Sequence, residues 1–120
     1  MTRGIRGAIS IDNNSIDDIK NATVTLLNEM LTQNSIEIDT ISHAIFTLTK
    51  DIDAAYPAKF ARQELDFKNV PMMCYQELNI ENSLEKCLRI LLVVNTDKTQ
   101  EEIKHIYLKG ASVLRPDLTN

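Results

Sequence analysis

The amino-acid sequence predicts a compact domain of the α/β or α+β class, and three observations support this prediction. The 120 residues are close to the usual size of one domain, so we expect a single domain over residues 1–120. Apolar residues alternate with other residues in some segments and recur at helical spacing in others, so strands and helices alternate along the chain. No internal repeat, low-complexity segment or interdomain linker interrupts them, which predicts one shared core.

Four segments have the pattern of β-strands. In the first segment, isoleucines stand at every second position, so that Arg6 faces away from them. Pro71 limits the third strand to an edge of the sheet, or marks its beginning, because proline cannot donate a ladder hydrogen bond. The predicted strands are Gly4 to Ile11, Ile41 to Leu48, Val70 to Tyr75 and Leu88 to Asn95.

Two helices are predicted between the first three strands. Ser15 is a suitable N-cap for a long amphipathic helix, and apolar residues continue at helical spacing as far as Leu31. Pro57 suits the first helical position, which predicts a short helix over Tyr56 to Glu64.

A third helix is predicted near the end of the chain. Thr99 and Glu102 fit a capping box, in which each residue caps the backbone of the other. The apolar residues that follow predict that this helix runs through Ile103, Ile106 and Tyr107.

The composition argues against several classes of function. Thirteen Lys and Arg residues against seventeen Asp and Glu residues give a net charge of -4, which disfavours a nucleic-acid-binding surface. The N-terminal sequence lacks an apolar signal region, and no segment approaches the roughly 18 apolar residues of a transmembrane helix, so we expect a cytoplasmic protein with no membrane partner. Cys74 and Cys87 are too few for a disulfide framework, and no Cys-x-x-Cys or His-x-x-x-His spacing offers a metal site.

Arg89 stands inside the most apolar segment of the chain, Cys87 to Val94. This segment is rich in Leu and β-branched residues and too short for a membrane span, which predicts a strand buried on both faces, with Arg89 and Leu91 on one face. A permanent charge among these side chains needs an anionic partner. The residue type alone leaves two explanations open, a structural ion pair and a ligand carboxylate.

Other polar residues stand at the ends of apolar elements, and each alone has an ordinary explanation. Lys59 and Arg62 would form a solvated helix face, and Glu77 would be a loop carboxylate. Tyr107 would be a core residue with its hydroxyl at the surface. Cys74 has no nearby histidine to act as a base, which favours a small buried hydrophobic residue over a nucleophile.

The segments that contain these residues occur together in one order, which is a stronger signal than any single short motif. They are Arg3-Gly4-Ile5-Arg6-Gly7-Ala8, Tyr56-Pro57-Ala58-Lys59 with Arg62, Val70-Pro71 with Cys74 and Gln76-Glu77, Lys86-Cys87-Leu88-Arg89, His105-Ile106-Tyr107-Leu108, and Val113-Leu114-Arg115-Pro116-Asp117-Leu118. On these segments, almost the whole chain resembles the trimeric, monofunctional chorismate mutases, the Bacillus-type class.

This resemblance implies an α+β fold with a mixed β-sheet and helices on one side. It further implies a homotrimer of the pseudo-α/β-barrel type, with an active site in each cleft between neighbouring subunits. The implied reaction converts chorismate to prephenate in aromatic amino acid biosynthesis, with no metal and no cofactor. Chorismate rearranges within one molecule, as an ether bond breaks and a carbon–carbon bond forms, so no nucleophile or proton shuttle is required.

The resemblance also implies a role for each residue that one subunit contributes. Arg89 would donate to the ether oxygen, where negative charge grows, and Arg6 and Tyr107 would hold the side-chain carboxylate. Glu77 would accept a hydrogen bond from the ring hydroxyl, with the Cys74 thiol beside it.

A second set of residues would complete the cleft. The neighbouring subunit would supply Tyr56, Ala58, Lys59 and Arg62, Met73 would line the pocket wall, and Leu114 and Arg115 would close the cleft from the C-terminal segment. The chain departs from the family pattern at two places, since Tyr56 stands where the family has Phe and Met72-Met73 replaces smaller residues.

Two alternatives from other classes remain. One is a non-catalytic trimeric sensor of an anionic aromatic-pathway metabolite, and the other is a structural oligomer whose arginines form ion pairs. The presence of both Arg89 and Glu77 favours the enzyme, because a protein that only binds carboxylates gains little from a nearby carboxylate.

Overall fold

The computed structural model describes residues 1–114. The elements of this part of the chain are β1 (Thr2–Ser10), α1 (Ile16–Gln33), β2 (Ile41–Leu48), α2 (Pro57–Leu65), β3 (Met72–Gln76), β4 (Cys87–Asn95) and β5 (Ile106–Leu108), with short 3-10 helices at Ile38–Thr40 and Lys109–Val113. Neither α-helix of the described residues has the length and apolar character needed to span a membrane.

The strands form one mixed sheet in the order β3-β2-β4-β1-β5. The central strand β4 pairs antiparallel with both β1 and β2. The edge strands are parallel to their neighbours, β3 to β2 and β5 to β1. This mixed sheet confirms the α+β class, and β3 lies at an edge, as Pro71 predicted.

Both α-helices pack on one face of the sheet, as predicted. The main core joins this face to Leu26 and Met30 of α1 and to Phe60 of α2. Gly7 of β1 lies beneath α1, where an added Cβ would meet Met30 Sδ and come within 3.1 Å of Leu26 Cδ1. The missing side chain at Gly7 therefore permits the close approach of helix and sheet.

The two ends of α1 are fixed by side chains. Ser15 Oγ accepts a hydrogen bond from Asp18 N at 3.1 Å, which confirms the predicted N-cap. At the other end, the buried Asn34 side chain donates to Met30 O at 2.9 Å and to Lys104 O at 2.8 Å. Asn34 Oδ1 also accepts from Lys104 N at 2.7 Å, so the helix end is tied to the segment that precedes β5.

The prediction of a helix after Thr99 is wrong. Thr99 N donates to Glu102 Oε1 and Glu102 N donates to Thr99 Oγ1, but these capping-box bonds close a turn instead of opening a helix. The chain then forms β5, which pairs with β1 and gives this strand a second neighbour. Because Asn34 holds Lys104 in an extended segment and pairing satisfies the edge of β1, tertiary contacts override the local helical pattern.

The prediction that β4 is buried on both faces is also wrong within one chain. Its even-numbered residues from Leu88 to Val94 are almost fully buried beneath the helices, whereas its odd-numbered residues from Arg89 to Val93 are only partly buried. Helices cover one face of the sheet only, so the other face stays half open. We call this second face the open face.

Candidate active site

Strand register brings Arg89 and Tyr107 into one row across the sheet. Arg89 pairs with Ala8 on β1, and Ala8 pairs with Tyr107 on β5. On its other side Arg89 pairs with Thr47 on β2. Because paired residues point to the same side of a sheet, this row of side chains lies on the open face.

Arg6 lies on the open face as well, two residues before Ala8 on β1. Its side chain is exposed, and its backbone N donates to His105 Nδ1 at 2.9 Å, just before β5. Ala8, which lies between Arg89 and Tyr107 in the row, is 1% exposed and packs with Cys87 and Tyr107. The open face therefore carries the guanidinium groups of Arg6 and Arg89 beside the buried ring of Tyr107.

Glu77 follows β3, and its carboxylate lies beside Thr47 and Arg89 of the same row. The backbone N of Glu77 donates to Leu48 O at 2.9 Å, which fixes the chain as it leaves the sheet. Glu77 Oε1 accepts a hydrogen bond from Thr47 Oγ1 at 2.6 Å and lies 2.8 Å from Arg89 Nε. The Nε hydrogen does not point along that line, so the Arg89 contact is an ion pair without a directed hydrogen bond.

This ion pair bears on the two explanations for the charge of Arg89. Glu77 is an anionic partner within the chain, so the structural explanation holds. However, the Arg89 side chain remains 32% exposed, against 13% for Glu77. An arginine side chain has several hydrogen-bond donors, and this one is partly exposed, so it can contact a ligand carboxylate while it pairs with Glu77. Both explanations therefore remain possible for Arg89.

Tyr107 is more deeply buried than its ordinary explanation assumed. The residue is 7% exposed, and its hydroxyl is buried with no hydrogen-bond partner among the described residues. It packs in a small cluster with Ala8, Cys87 and Ala111, against which Leu114 also lies. A buried unpaired hydroxyl costs about 1 to 3 kcal/mol, so this hydroxyl is poised to gain a partner.

The two thiols are poor nucleophiles at neutral pH. Burial, together with the negative charge of Glu77, raises the pKa of the Cys87 thiol to about 11. Burial also raises the pKa of the Cys74 thiol above its usual value, despite opposing effects of the Ala58 backbone and the Arg62 charge. Both side chains are therefore protonated at neutral pH. The prediction of a buried Cys74 is only partly right, because Cys74 is half-buried, whereas Cys87 is fully buried.

Cys74 lies on the face opposite Arg89. It pairs with Phe46 of β2 and packs against the main core on the helix-covered side. Its electrostatic neighbours are Ala58 and Arg62 of α2. Within one chain, the structure thus groups Cys74 with the α2 residues and does not bring it beside Glu77.

The start of α2 carries the second set of predicted residues, which with Cys74 we call the α2 group. Tyr56 is the N-cap and is 74% exposed, while Ala58 is buried. Lys59 and Arg62 are exposed and one turn apart, as predicted for one helix face. The α2 group consists of Tyr56, Ala58, Lys59, Arg62 and Cys74.

An open cleft of about 450 Å³ lies between the 49–56 loop and β3. Tyr56 and Cys74 line it, whereas Arg89, Glu77 and Tyr107 are absent from its described lining. Asn14 shapes this loop, because its Oδ1 accepts from the backbone N of Asp53 and of Ala54. Within a single chain, two residues of the α2 group therefore face a space that Arg89, Glu77 and Tyr107 do not line.

The remaining predicted residues have separate positions. Met73 is 58% exposed and shares a row with Leu91 and Arg6, so it extends the open face at β3. Leu114 packs beside the Tyr107 cluster. Arg115 lies outside the described residues.

Two residues that contact the predicted site residues, Thr47 and His105, were not predicted from the sequence. Thr47 donates to Glu77, and His105 accepts from the backbone of Arg6. A signal for Thr47 existed in the sequence, since a hydroxyl interrupts the apolar pattern of β2. Its meaning depended on the register with Arg89, which one sequence does not reveal.

Known proteins similar to this chain agree in one family. The family model described as Chorismate mutase type I matches residues 2–118. The chain is 35% identical over 119 residues to the chorismate mutase AroH of Bacillus subtilis (strain 168), covering 99% of this chain and 94% of that protein. It is 40% identical over 119 residues to the chorismate mutase AroH of Thermus thermophilus, covering 98% and 97%.

A solved structure agrees with these sequence matches. A chorismate mutase from Clostridium thermocellum has a TM-score of 0.90 and 46% sequence identity to this chain, covering 92% of this chain and 98% of that one. Family model, relatives and fold thus coincide over nearly the full length. The chain belongs to the chorismate mutase type I family.

Proposed function

We propose that this protein is a chorismate mutase, an isomerase that converts chorismate to prephenate in aromatic amino acid biosynthesis. The observation that carries the proposal is the Arg89–Glu77 pair on the open face. It lies in the same row as Tyr107, whose hydroxyl has no hydrogen-bond partner among residues 1–114. Membership of the chorismate mutase type I family supports the same reaction. The chain acts as one catalytic domain, and its cytoplasmic location stays a prediction.

Arg89 supplies the positive charge at the ether oxygen of the substrate. As the ether bond breaks, negative charge grows on this oxygen, and a fixed guanidinium stabilises it more than it stabilises the ground state. Nε is the nitrogen next to Glu77, so the two terminal nitrogens can donate to the ether oxygen and to a carboxylate. The guanidinium keeps its charge throughout, and no proton has to move.

Arg6 and Tyr107 hold the side-chain carboxylate of chorismate. Arg6 is exposed on the open face and offers a planar pair of donors. The hydroxyl of Tyr107 has no partner among residues 1–114, and a substrate carboxylate would satisfy it. Binding at these two points selects the compact conformer in which the reacting atoms meet.

Glu77 accepts the hydrogen bond of the ring hydroxyl. Its carboxylate lies beside Arg89, on the side of the substrate where the ring loses electron density. A negative charge there stabilises the positive character that develops in the ring. A site built only to hold carboxylates would be weakened by this group, which argues against the sensor.

A neighbouring subunit completes each site in the proposed homotrimer. The open face carries the half-buried Leu91 and Val93 and the exposed Met73, apolar side chains that a second copy of the chain would cover. The α2 group, of which Tyr56 and Cys74 line a different cleft within their own chain, would then meet Arg89 of the next subunit. Lys59 and Arg62 would add positive potential at the mouth, and Leu114 with Arg115 would close it.

The test is an assay of chorismate loss with direct detection of prephenate, run on purified protein with and without a chelator. We expect prephenate to form at the rate at which chorismate disappears, with or without chelator, because the rearrangement needs no metal or cofactor. Well-folded protein that binds chorismate without accelerating its loss over buffer would overturn the proposal and favour the sensor.

A further inference from the structure

We propose that Thr47 is a positioning residue that holds the Glu77 carboxylate in the orientation that receives the ring hydroxyl, an inference that rests on the proposed function. Thr47 does not need to touch the substrate in this role. Its hydroxyl acts through Glu77, whose second carboxylate oxygen then faces the ligand.

Two side chains contact the same oxygen of the Glu77 carboxylate. Thr47 Oγ1 donates to Glu77 Oε1 across 2.6 Å, the short distance of a hydrogen bond to a charged oxygen. Arg89 Nε lies 2.8 Å from the same Oε1. Because both contacts use one oxygen, Oε2 is left as the acceptor for the substrate hydroxyl.

The two contacts with the Glu77 carboxylate differ in direction. The Nε hydrogen of Arg89 does not point at Glu77, so Arg89 attracts the carboxylate without fixing its rotation. The hydrogen bond from Thr47 is directional and therefore sets the angle of the carboxylate plane. Arg89 thus stabilises the charge of the Glu77 carboxylate, whereas Thr47 sets its orientation.

The donor, the Thr47 hydroxyl, is held on a rigid part of the fold. Thr47 lies on β2 directly opposite Arg89, one strand from the sheet edge. Its β-branched side chain has restricted χ1 rotation on a strand, so the hydroxyl is held ready before substrate arrives. Glu77 directly follows β3. Its backbone N is held by Leu48 O, but its side chain extends beyond the last strand residue and gains its orientation from Thr47.

Thr47→Val tests this inference, because valine keeps the shape of the side chain and removes the hydroxyl. We expect kcat to fall about 10- to 100-fold, the range for one lost hydrogen bond to a charged group, with KM changed less than about threefold. Thr47→Ser should restore kcat to within about threefold of the native value, because the donor returns. If Thr47→Val does not fold, Thr47→Ala carries the same expectation.

Thr2→Val is the matched control. Thr2 Oγ1 also donates from a strand to a side chain, Asn95 Oδ1, at 2.9 Å, but it lies at the far end of β1 from this row. This variant should keep native kcat and KM. A loss equal to that of Thr47→Val would mean that any strand hydroxyl matters equally, and would overturn the positioning role.

Glu77→Ala separates positioning from a structural role. In the Glu77→Ala background, Thr47→Val should cause no further loss of kcat, because the group it positions is absent. An equal fold-loss in both backgrounds would overturn the inference. Native protein that forms no prephenate would instead defeat the proposed function, whereas active native protein with an equally active Thr47→Val variant would defeat this inference alone.

Discussion

A permanently charged side chain is stable in the middle of an apolar strand only if its charge is balanced and part of it reaches water. Arg89 meets both conditions, with Glu77 Oε1 at 2.8 Å and an exposed fraction of 32%. The same contacts suit the catalytic role that we propose for Arg89, because they would hold the guanidinium in place before substrate binds. In this proposal, the contacts that stabilise the charge in the fold also prepare it for the substrate.

Arg89→Lys should behave almost like Arg89→Ala, although it keeps the positive charge. An ammonium cannot reproduce the planar fork that reaches the ether oxygen and Glu77 together. Loss of one preorganised donor to developing charge costs about 2.7 to 4 kcal/mol, so we expect kcat to fall roughly 100- to 1000-fold. Arg3→Lys, at the start of β1, is the control and should remain near native. Near-native turnover of Arg89→Lys would refute the role assigned to Arg89.

The buried thiol of Cys87 should make stability depend on alkaline pH. The unfolded thiol ionises near its ordinary pKa of 9.0, whereas the folded thiol keeps its proton up to a pKa of about 11. Its contribution is therefore complete below pH 9 and is lost as pH rises to 11, by as much as about 2 to 3 kcal/mol. The free energy of unfolding is measured in urea for native protein and for Cys87→Ala at pH 8, 9, 10 and 11. Because the other titrating groups are common to both proteins, the difference between the two curves reports Cys87. Parallel pH curves would contradict it.

At the scale of elements, most of the sheet and both α-helices could be predicted from the sequence. The alternation in β1 and β2, the continuous apolar run of β4, the Ser15 cap and Pro57 are local signals. Each lies where the structure has the corresponding element. The segment from Thr99 to Leu108 could not be predicted, because its conformation depends on Asn34 and on the free edge of β1, which are distant in sequence. The partner of Glu77, Thr47, was hidden for the same reason.

Asn34→Ala tests this long-range constraint on β5. Removal of the amide leaves the partly buried N–H and C=O of Lys104 and the C=O of Met30 without this partner, which should lower the free energy of unfolding by about 2 to 3 kcal/mol. Asn21→Ala, at an exposed position of α1, is the control and should change it by less than about 0.5 kcal/mol. Urea unfolding at one protein concentration measures both. Equal stabilities would mean that Asn34 does not hold the segment before β5.

At the scale of the whole molecule, one chain separates the two sets of predicted residues. Arg6, Glu77, Arg89 and Tyr107 belong to the open face, whereas Tyr56 and Cys74 of the α2 group border the cleft between β3 and the 49–56 loop. The family resemblance placed Cys74 with the first set, because the side on which Cys74 lies depends on the register of β3, which the sequence does not reveal. In the proposed homotrimer, a site shared between copies of the chain would join the two sets without any change of fold.

The most direct measurement of turnover in a shared cleft is the prephenate-forming activity of mixed trimers made from Arg62→Ala and Arg89→Ala subunits. Each variant alone should be nearly inactive, because every cleft lacks one arginine. After unfolding together in equal amounts and random reassembly, about a quarter of the clefts should regain both arginines, so activity should rise to roughly a quarter of the native value. Verified mixed trimers that stay at the activity of the parents, or a native mass equal to one chain, would contradict a site built from two subunits.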